Sequence, residues 1–151
     1  MPELKRQLPD FLKGRVEPAV YDRWLKRKAA AHARRDQRRF SDWKSGGLYK
    51  DAIHAAVVAS GGKDAYTGEE LDWSLISKYN NEDSKVGRHG YKAGFALLPT
   101  VDHIEADNVQ ASFCICAWRT NESKHDLTKT TFIELCERVL LHHGFRISRD
   151  A

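Results

Sequence analysis

Two apolar runs, 95–104 (FALLPTVDHI) and 112–118 (SFCICAW), flank the turn signal Asp107-Asn108 and read as the paired strands of a hairpin. Pro99 bends the first strand, which delivers the polar pair Asp102-His103 to its end. Helical patterns lie on both sides of this hairpin, so the expected fold class is α+β.

Segment 17–40 reads as a long helix, with Pro18 in its first turn and Val20, Tyr21, Trp24 and Leu25 as an apolar stripe. Ala29, Ala30, Ala31 and Ala33 add helix propensity. Arg23, Lys26, Arg27, Lys28, Arg34, Arg35, Arg38 and Arg39 take much of the remaining circumference. Ser45-Gly46-Gly47 is expected to break this helix. A second starts near Leu48, with Leu48, Ala52, Ile53, Ala56 and Val57 facing the core, and stops at Gly61-Gly62. Segment 66–71 reads as a turn, Trp73, Leu75 and Ile76 as core, and 78–94 as a long exposed loop. A short helix is expected over 119–125. A final one starts at Thr128, with Phe132, Leu135, Cys136, Val139 and Leu140 in a packing stripe that ends at Gly144.

The 151 residues suit one compact unit with an appended arm, and 41% hydrophobic content suffices for a modest core. The net charge of +4 is unevenly spread: residues 1–50 carry 14 Lys or Arg against 6 Asp or Glu, and the remainder 11 against 15. A basic first part on a mildly acidic remainder is the footprint of a polyanion-binding region attached to a chemical module. A solvated helix face gives the same arithmetic. With only Asp22 and Asp36 available for local pairing, phosphate is the partner expected for Lys26, Arg27, Arg34, Arg35, Arg38 and Arg39. No run is apolar enough to span a bilayer, and MPELKRQLPDF lacks the apolar region of a secretory signal. The three cysteines are an odd number, which fits free thiols in a reducing compartment. A cytoplasmic protein without membrane association is expected.

Two constellations can carry chemistry. Asp102-His103 ends an apolar strand, and Asn121 and His125 are four residues apart on a short helix beside Lys124. If hairpin and helix meet, a carboxylate from Asp102 and an amide oxygen from Asn121 can anchor a hard divalent cation such as Mg²⁺ or Mn²⁺, with water and phosphate completing its shell. His125 is the alternative ligand and would favour a transition metal. His103 is then left as general base, and Arg119 and Lys124 can add phosphate contacts. Cys114 and Cys116 point the same way on a strand and read as buried thiols. His32, His54, His89, His142 and His143 are given no catalytic role.

The residues YTGEEL, PTVDHIEADN and FCICAWRTNESKHDLTKTTFIELC, from Tyr66 to about Gly144, resemble the HNH nucleases of the ββα-metal class. In that family an Asp-His-Ile strand end is followed by a second strand and a helix bearing Asn-x-x-Lys, and Asp102-His103-Ile104 and Asn121-Glu122-Ser123-Lys124 stand in that order. The resemblance implies metal-dependent phosphodiester hydrolysis, with His103 activating water and Asp102 and Asn121 holding one metal ion. It further implies a basic helical DNA-binding region over 1–62, a ββα-metal domain over 63–151 and a C-terminal closing helix. Many relatives carry Cys-x-x-Cys pairs as a zinc knuckle, which neither 64–66 nor Cys114-Ile115-Cys116 supplies, so a metal-free, apolar-packed version is implied. Asn108 lies farther from Asn121 than the family's middle Asn, and Ser112 stands near the expected place. DNA is the expected substrate. RNA, a non-catalytic DNA-binding module on the same fold, and a small structural zinc protein are the alternatives.

Overall fold

The computed structural model describes residues 6–38, 46–78, 93–104 and 112–150. Among the described residues four α-helices, α1 (Pro18–Gln37), α2 (Gly46–Ser60), α3 (Trp118–Lys124) and α4 (Lys129–His142), accompany two strands, β1 (Pro99–His103) and β2 (Phe113–Ala117). The α+β class expected from the sequence is therefore observed. The strands pair antiparallel with Pro99 opposite Ala117, Asp102 opposite Cys114 and His103 opposite Phe113. The expected loop over 78–94 lies almost wholly outside the described residues, as do Arg39, Asn108 and His89.

Pro18 opens α1, where its missing N–H costs nothing. The buried residues Tyr21, Trp24, Leu25, Ala29, His32, Ala33 and Asp36 recur at spacings of three and four, so one complete face of this helix is interior. Its basic face is the outer side of a core helix. Trp24 meets Trp73 edge-on at 5.6 Å, and Phe11 covers the far side of Trp73 at 6.1 Å. Gly62 is required at this contact: its φ is +89°, and a Cβ there would lie 3.1 Å from the Phe11 ring. One buried cluster runs from Leu12 through α1, α2 and Trp73 to Ile115 and Ala117, so residues on both sides of the expected 62/63 boundary share a core.

Three local expectations are corrected. Gly46-Gly47 opens α2 instead of only breaking α1. The buried face of α2 is Tyr49, Ile53 and Val57, while Leu48 is exposed, because Tyr49 is the residue whose hydroxyl finds a buried acceptor, Oδ2 of Asp36, at 2.8 Å. The third concerns α4. Its stripe does not close the core: none of its residues is buried, Leu135, Val139, Leu140 and Cys136 are exposed, and its described ring contact with the body is Phe132 against Tyr66 at 6.0 Å. Periodicity fixes that a helix has an apolar face, but not that the rest of the chain reaches it.

The segment before β1 is held by a buried carboxylate. Asp64, 3% exposed, accepts from Tyr66 N (2.6 Å) and Thr67 N (3.0 Å) on Oδ1, and from Ala117 N (2.8 Å) and Thr120 Oγ1 (2.7 Å) on Oδ2. It ties the 64–67 turn to the junction of β2 and α3. A carboxyl side chain that accepts four hydrogen bonds therefore stands in the segment where many relatives of the family named above carry a Cys pair.

Candidate active site

Side chains alternate along a strand, so Asp102 and His103 leave β1 on opposite faces of the hairpin. Each is held by a different helix. Oδ2 of Asp102 accepts from the Tyr66 hydroxyl at 2.8 Å and lies 3.1 Å from Nζ of Lys124 on α3. Oδ1 of Asp102 takes no hydrogen bond among the described residues. On the other face, Nε2 of His103 lies 3.4 Å from Nδ1 of His32 and 3.4 Å from Oδ1 of Asp36, both on α1. The Phe113 ring packs against His103 at 4.9 Å and against His32 at 5.0 Å.

These groups border an open cleft of about 670 Å³ between α1, the end of β1 and α3. Asp102, His103 and Asn121, proposed from sequence order alone, line this one cleft together with Lys124 and His125. Asn121 is half-buried, and its amide has no side-chain hydrogen bond among the described residues. His125 is not on the helix face expected for it. It follows the last residue of α3 with φ +53°, its amide N–H donating to the Asn121 carbonyl at 2.9 Å, while its exposed ring lies 3.3 Å from Asp126.

The basic candidates divide by what already holds them. Arg34, Arg35 and Arg38 are exposed, and Arg35 reaches the cleft. Lys26 pairs with Asp22 at 3.2 Å, and Arg27 donates to the Ile76 carbonyl at 3.2 Å. Arg119 pairs with Glu69 at 2.5 Å. Lys124 is 4% exposed and committed to Asp102, with the Tyr66 ring 5.9 Å below its ammonium. Lys124 thus sits inside the site, not on its phosphate-facing surface.

Burial, reinforced by the hydrogen bond to Asp102, holds the Tyr66 phenol far above its usual range, so it is a fixed donor. Burial also pushes the Cys114 thiol up and that of Cys116 to about 12; all three cysteines are free, as expected. His32 is pushed down to about 3 by burial, with the His103 imidazole and the Arg35 and Lys28 cations acting in the same direction. It is therefore a neutral imidazole in the wall of the cleft.

His32 and Asp36 were given no site role by sequence reasoning. Their signal was positional: both fall on the three-and-four spacing of the buried stripe of α1, where an unexplained polar residue calls for a partner. A divalent cation fits as a weakly held, hard ion. Asp102 and Asn121, which carry hard carboxylate and amide oxygens, both line the cleft, and no group of three or more His, Cys, Asp or Glu among the described residues forms a metal cage. Comparison with family models, with curated proteins and with solved structures finds no match to this chain.

Proposed function

We propose that the protein is a metal-dependent endonuclease of the ββα-metal (HNH) type that hydrolyses phosphodiester bonds in DNA, with hairpin and α3 as the catalytic unit. One observation carries the reading: Asp102, His103 and Asn121 line a single cleft whose opposite wall is the basic helix α1. A cytoplasmic setting fits the three free thiols.

Phosphodiester hydrolysis needs a water stripped of a proton and delivered in line with the leaving oxygen. His103, 17% exposed at the end of β1 and lining the cleft, is the imidazole placed to take that proton. Asp102 Oδ1 and Asn121 Oδ1 would hold Mg²⁺ or Mn²⁺, which supplies charge stabilisation at the phosphate and the leaving oxygen. Lys124 and Tyr66 hold the Asp102 carboxylate in one orientation through its other oxygen. Arg34, Arg35 and Arg38 would grip flanking phosphates and set the register of the strand in the cleft.

A second reading has its own support. The Lys124 ammonium already neutralises Asp102 from within, as expected of a nucleic-acid-binding module that has dispensed with its metal. Supercoiled plasmid and a structured RNA, each incubated with Mg²⁺, Mn²⁺ or EDTA, separate these cases. Cleavage of plasmid that requires the ion and falls by a factor of about 10² or more in His103→Ala supports the nuclease. Tight binding without cleavage under any ion supports the module, and preferential cutting of RNA changes the substrate. EDTA should stop cleavage without unfolding the protein, because few protein oxygens hold the ion.

A further inference from the structure

We propose that the exposed apolar side of α4 is a self-association surface, on which α4 of a second copy of this chain lies antiparallel to form a two-fold dimer. The inference is independent of the nuclease reading, because it rests on residues beyond Thr128, none of which lines the cleft.

Ile133, Leu135, Val139 and Leu140 of α4, with Phe145 and Ile147 just beyond it, are between 38 and 60% exposed. Leu135, Cys136, Val139 and Leu140 recur at spacings of three and four and share one side of the helix, with Ile133 at its edge. At Gly144 the chain reverses, and the Phe145 N–H donates to the Leu140 carbonyl at 3.0 Å, so the backbone returns to the end of the same stripe. At roughly 200 Å² for a whole large apolar residue, the six leave about 500 Å² of apolar surface on one chain, near the upper end of what monomers expose. Two copies together bring about 1,000 Å², the size at which a specific interface begins, before any polar rim is counted.

Charge selects the occupant. Residues 128–151 carry Lys129, Arg138, Arg146 and Arg149 against Glu134, Glu137 and Asp150, a net charge of 4 − 3 = +1. Nucleic acid and an anionic membrane both call for concentrated positive charge, which α1 has and this segment lacks. A nearly neutral helix meets its own copy without net repulsion. Antiparallel packing sets the N-terminal end of one helix beside the C-terminal end of the other, so the helix dipoles attract, and identical patches close on each other with no free face left over. Within the chain, segments 39–45, 79–92 and 105–111 each bring at most three large apolar side chains, so none of them matches the six on this face.

The test uses the full chain at concentrations from about 1 to 500 µM. Sedimentation velocity should show the mass of one chain at the low end and twice that mass at the high end, with a dissociation constant in the micromolar range expected of so small an interface. Below that constant α4 is unpaired and behaves as the helix of a single chain. Val139→Glu puts a charge in the middle of the stripe without weakening the helix, since Glu is the better helix former, and should raise the constant about ten-fold or more. Cys136, an exposed thiol on the same side of α4, reports where the copies meet. Its alkylation by iodoacetamide, read by peptide mass spectrometry, should slow several-fold between the two ends of the range in the parent and stay constant in Val139→Glu. A single-chain mass throughout overturns the proposal. So does a dimer that survives Val139→Glu and leaves Cys136 equally reactive at every concentration, since the copies then meet elsewhere. Slow alkylation at every concentration in a protein that stays monomeric also overturns it, because the chain itself then covers the face. Should Val139→Glu fail to fold, the mass and the Cys136 reactivity of the parent across the range decide the matter.

Discussion

Lys124 and Asp102 form an ion pair of 3.1 Å with both side chains nearly excluded from solvent, and the Tyr66 hydroxyl donates to the same carboxylate oxygen. The pair joins α3 to the end of β1 at the edge of the cleft. Its partner on the opposite face of the hairpin is the contact between His103 and α1, so two adjacent residues of one strand are fixed by two different helices.

Replacing Lys124 by Met keeps most of the packing volume but strands the Asp102 carboxylate in a buried position. Loss of one member of a buried pair costs about 3 to 5 kcal/mol. Urea unfolding should read a loss of that order, and millimolar Mg²⁺ should raise the melting temperature of the variant more than that of the parent, since the cation replaces the missing charge. Equal Mg²⁺ responses in the two proteins would argue against Asp102 as a ligand.

Asp64→Ala removes an acceptor of four hydrogen bonds and leaves the Ala117 N–H and the Thr120 hydroxyl buried without it. At about 1 to 3 kcal/mol for each buried group left unpaired, the expected loss is several kcal/mol. Asp64→Asn should recover part of it, because one oxygen can still accept. A denaturation midpoint within experimental error of the parent for Asp64→Ala would show that the turn is held by something else.

Acid should weaken the fold through His32. Its pKa in the folded protein is about 3, below the ordinary value of 6.5, so the unfolded chain binds the proton first as the pH falls. The stability that follows from keeping His32 neutral is complete above about pH 6.5 and is lost progressively down to about pH 3, at about 1.4 kcal/mol per pH unit. Between pH 7 and pH 5 the parent should lose about 2 kcal/mol that His32→Gln does not lose. Parallel stability curves for the two proteins would refute this.

Binding to nucleic acid should depend on Arg34, Arg35, Arg38 and Arg39 more than on Lys26 and Arg27. Each phosphate contact removed should lower the slope of log affinity against log salt by about 0.9. Replacing the four arginines by Ala should flatten that slope markedly with little change in base preference. Lys26→Ala and Arg27→Ala should change it less, because Lys26 answers Asp22 and Arg27 caps the Ile76 carbonyl.

What could be read from the sequence was local or depended on chain order. Pro18 marked the start of α1, two apolar runs on either side of a turn signal placed the hairpin, and the order of hairpin and helix pointed to a pocket shared by Asp102, His103 and Asn121, which line one cleft. Contacts that depend on distant partners were not legible. Asp36 and His32 gain their meaning from a hairpin about 70 residues later, and nothing near them announces it. The choice of Tyr49 over Leu48 for the interior rests on Asp36 being there to meet a hydroxyl. Asp64 carried no signal of its own in the sequence, because two of the donors that converge on it, from Ala117 and Thr120, lie more than fifty residues away. Lys124 looked like a surface cation in a helix of mostly polar residues, and only the geometry of the pair with Asp102 turns it inward.

The exposed apolar face of α4 divides the molecule into parts of unequal persistence. Fourteen residues without a buried side chain are held by their own backbone ladder, by Thr128, whose hydroxyl accepts from Thr131 N at 3.2 Å, by the reversal at Gly144, with φ +88°, and by the contact of Phe132 with the Tyr66 ring. A helix supported in this way opens on its own, without waiting for the core to melt. Its amide protons should exchange with deuterated water long before those of β1 and β2, and a protease should trim the chain beyond Leu127 while the hairpin and its two clasping helices remain intact.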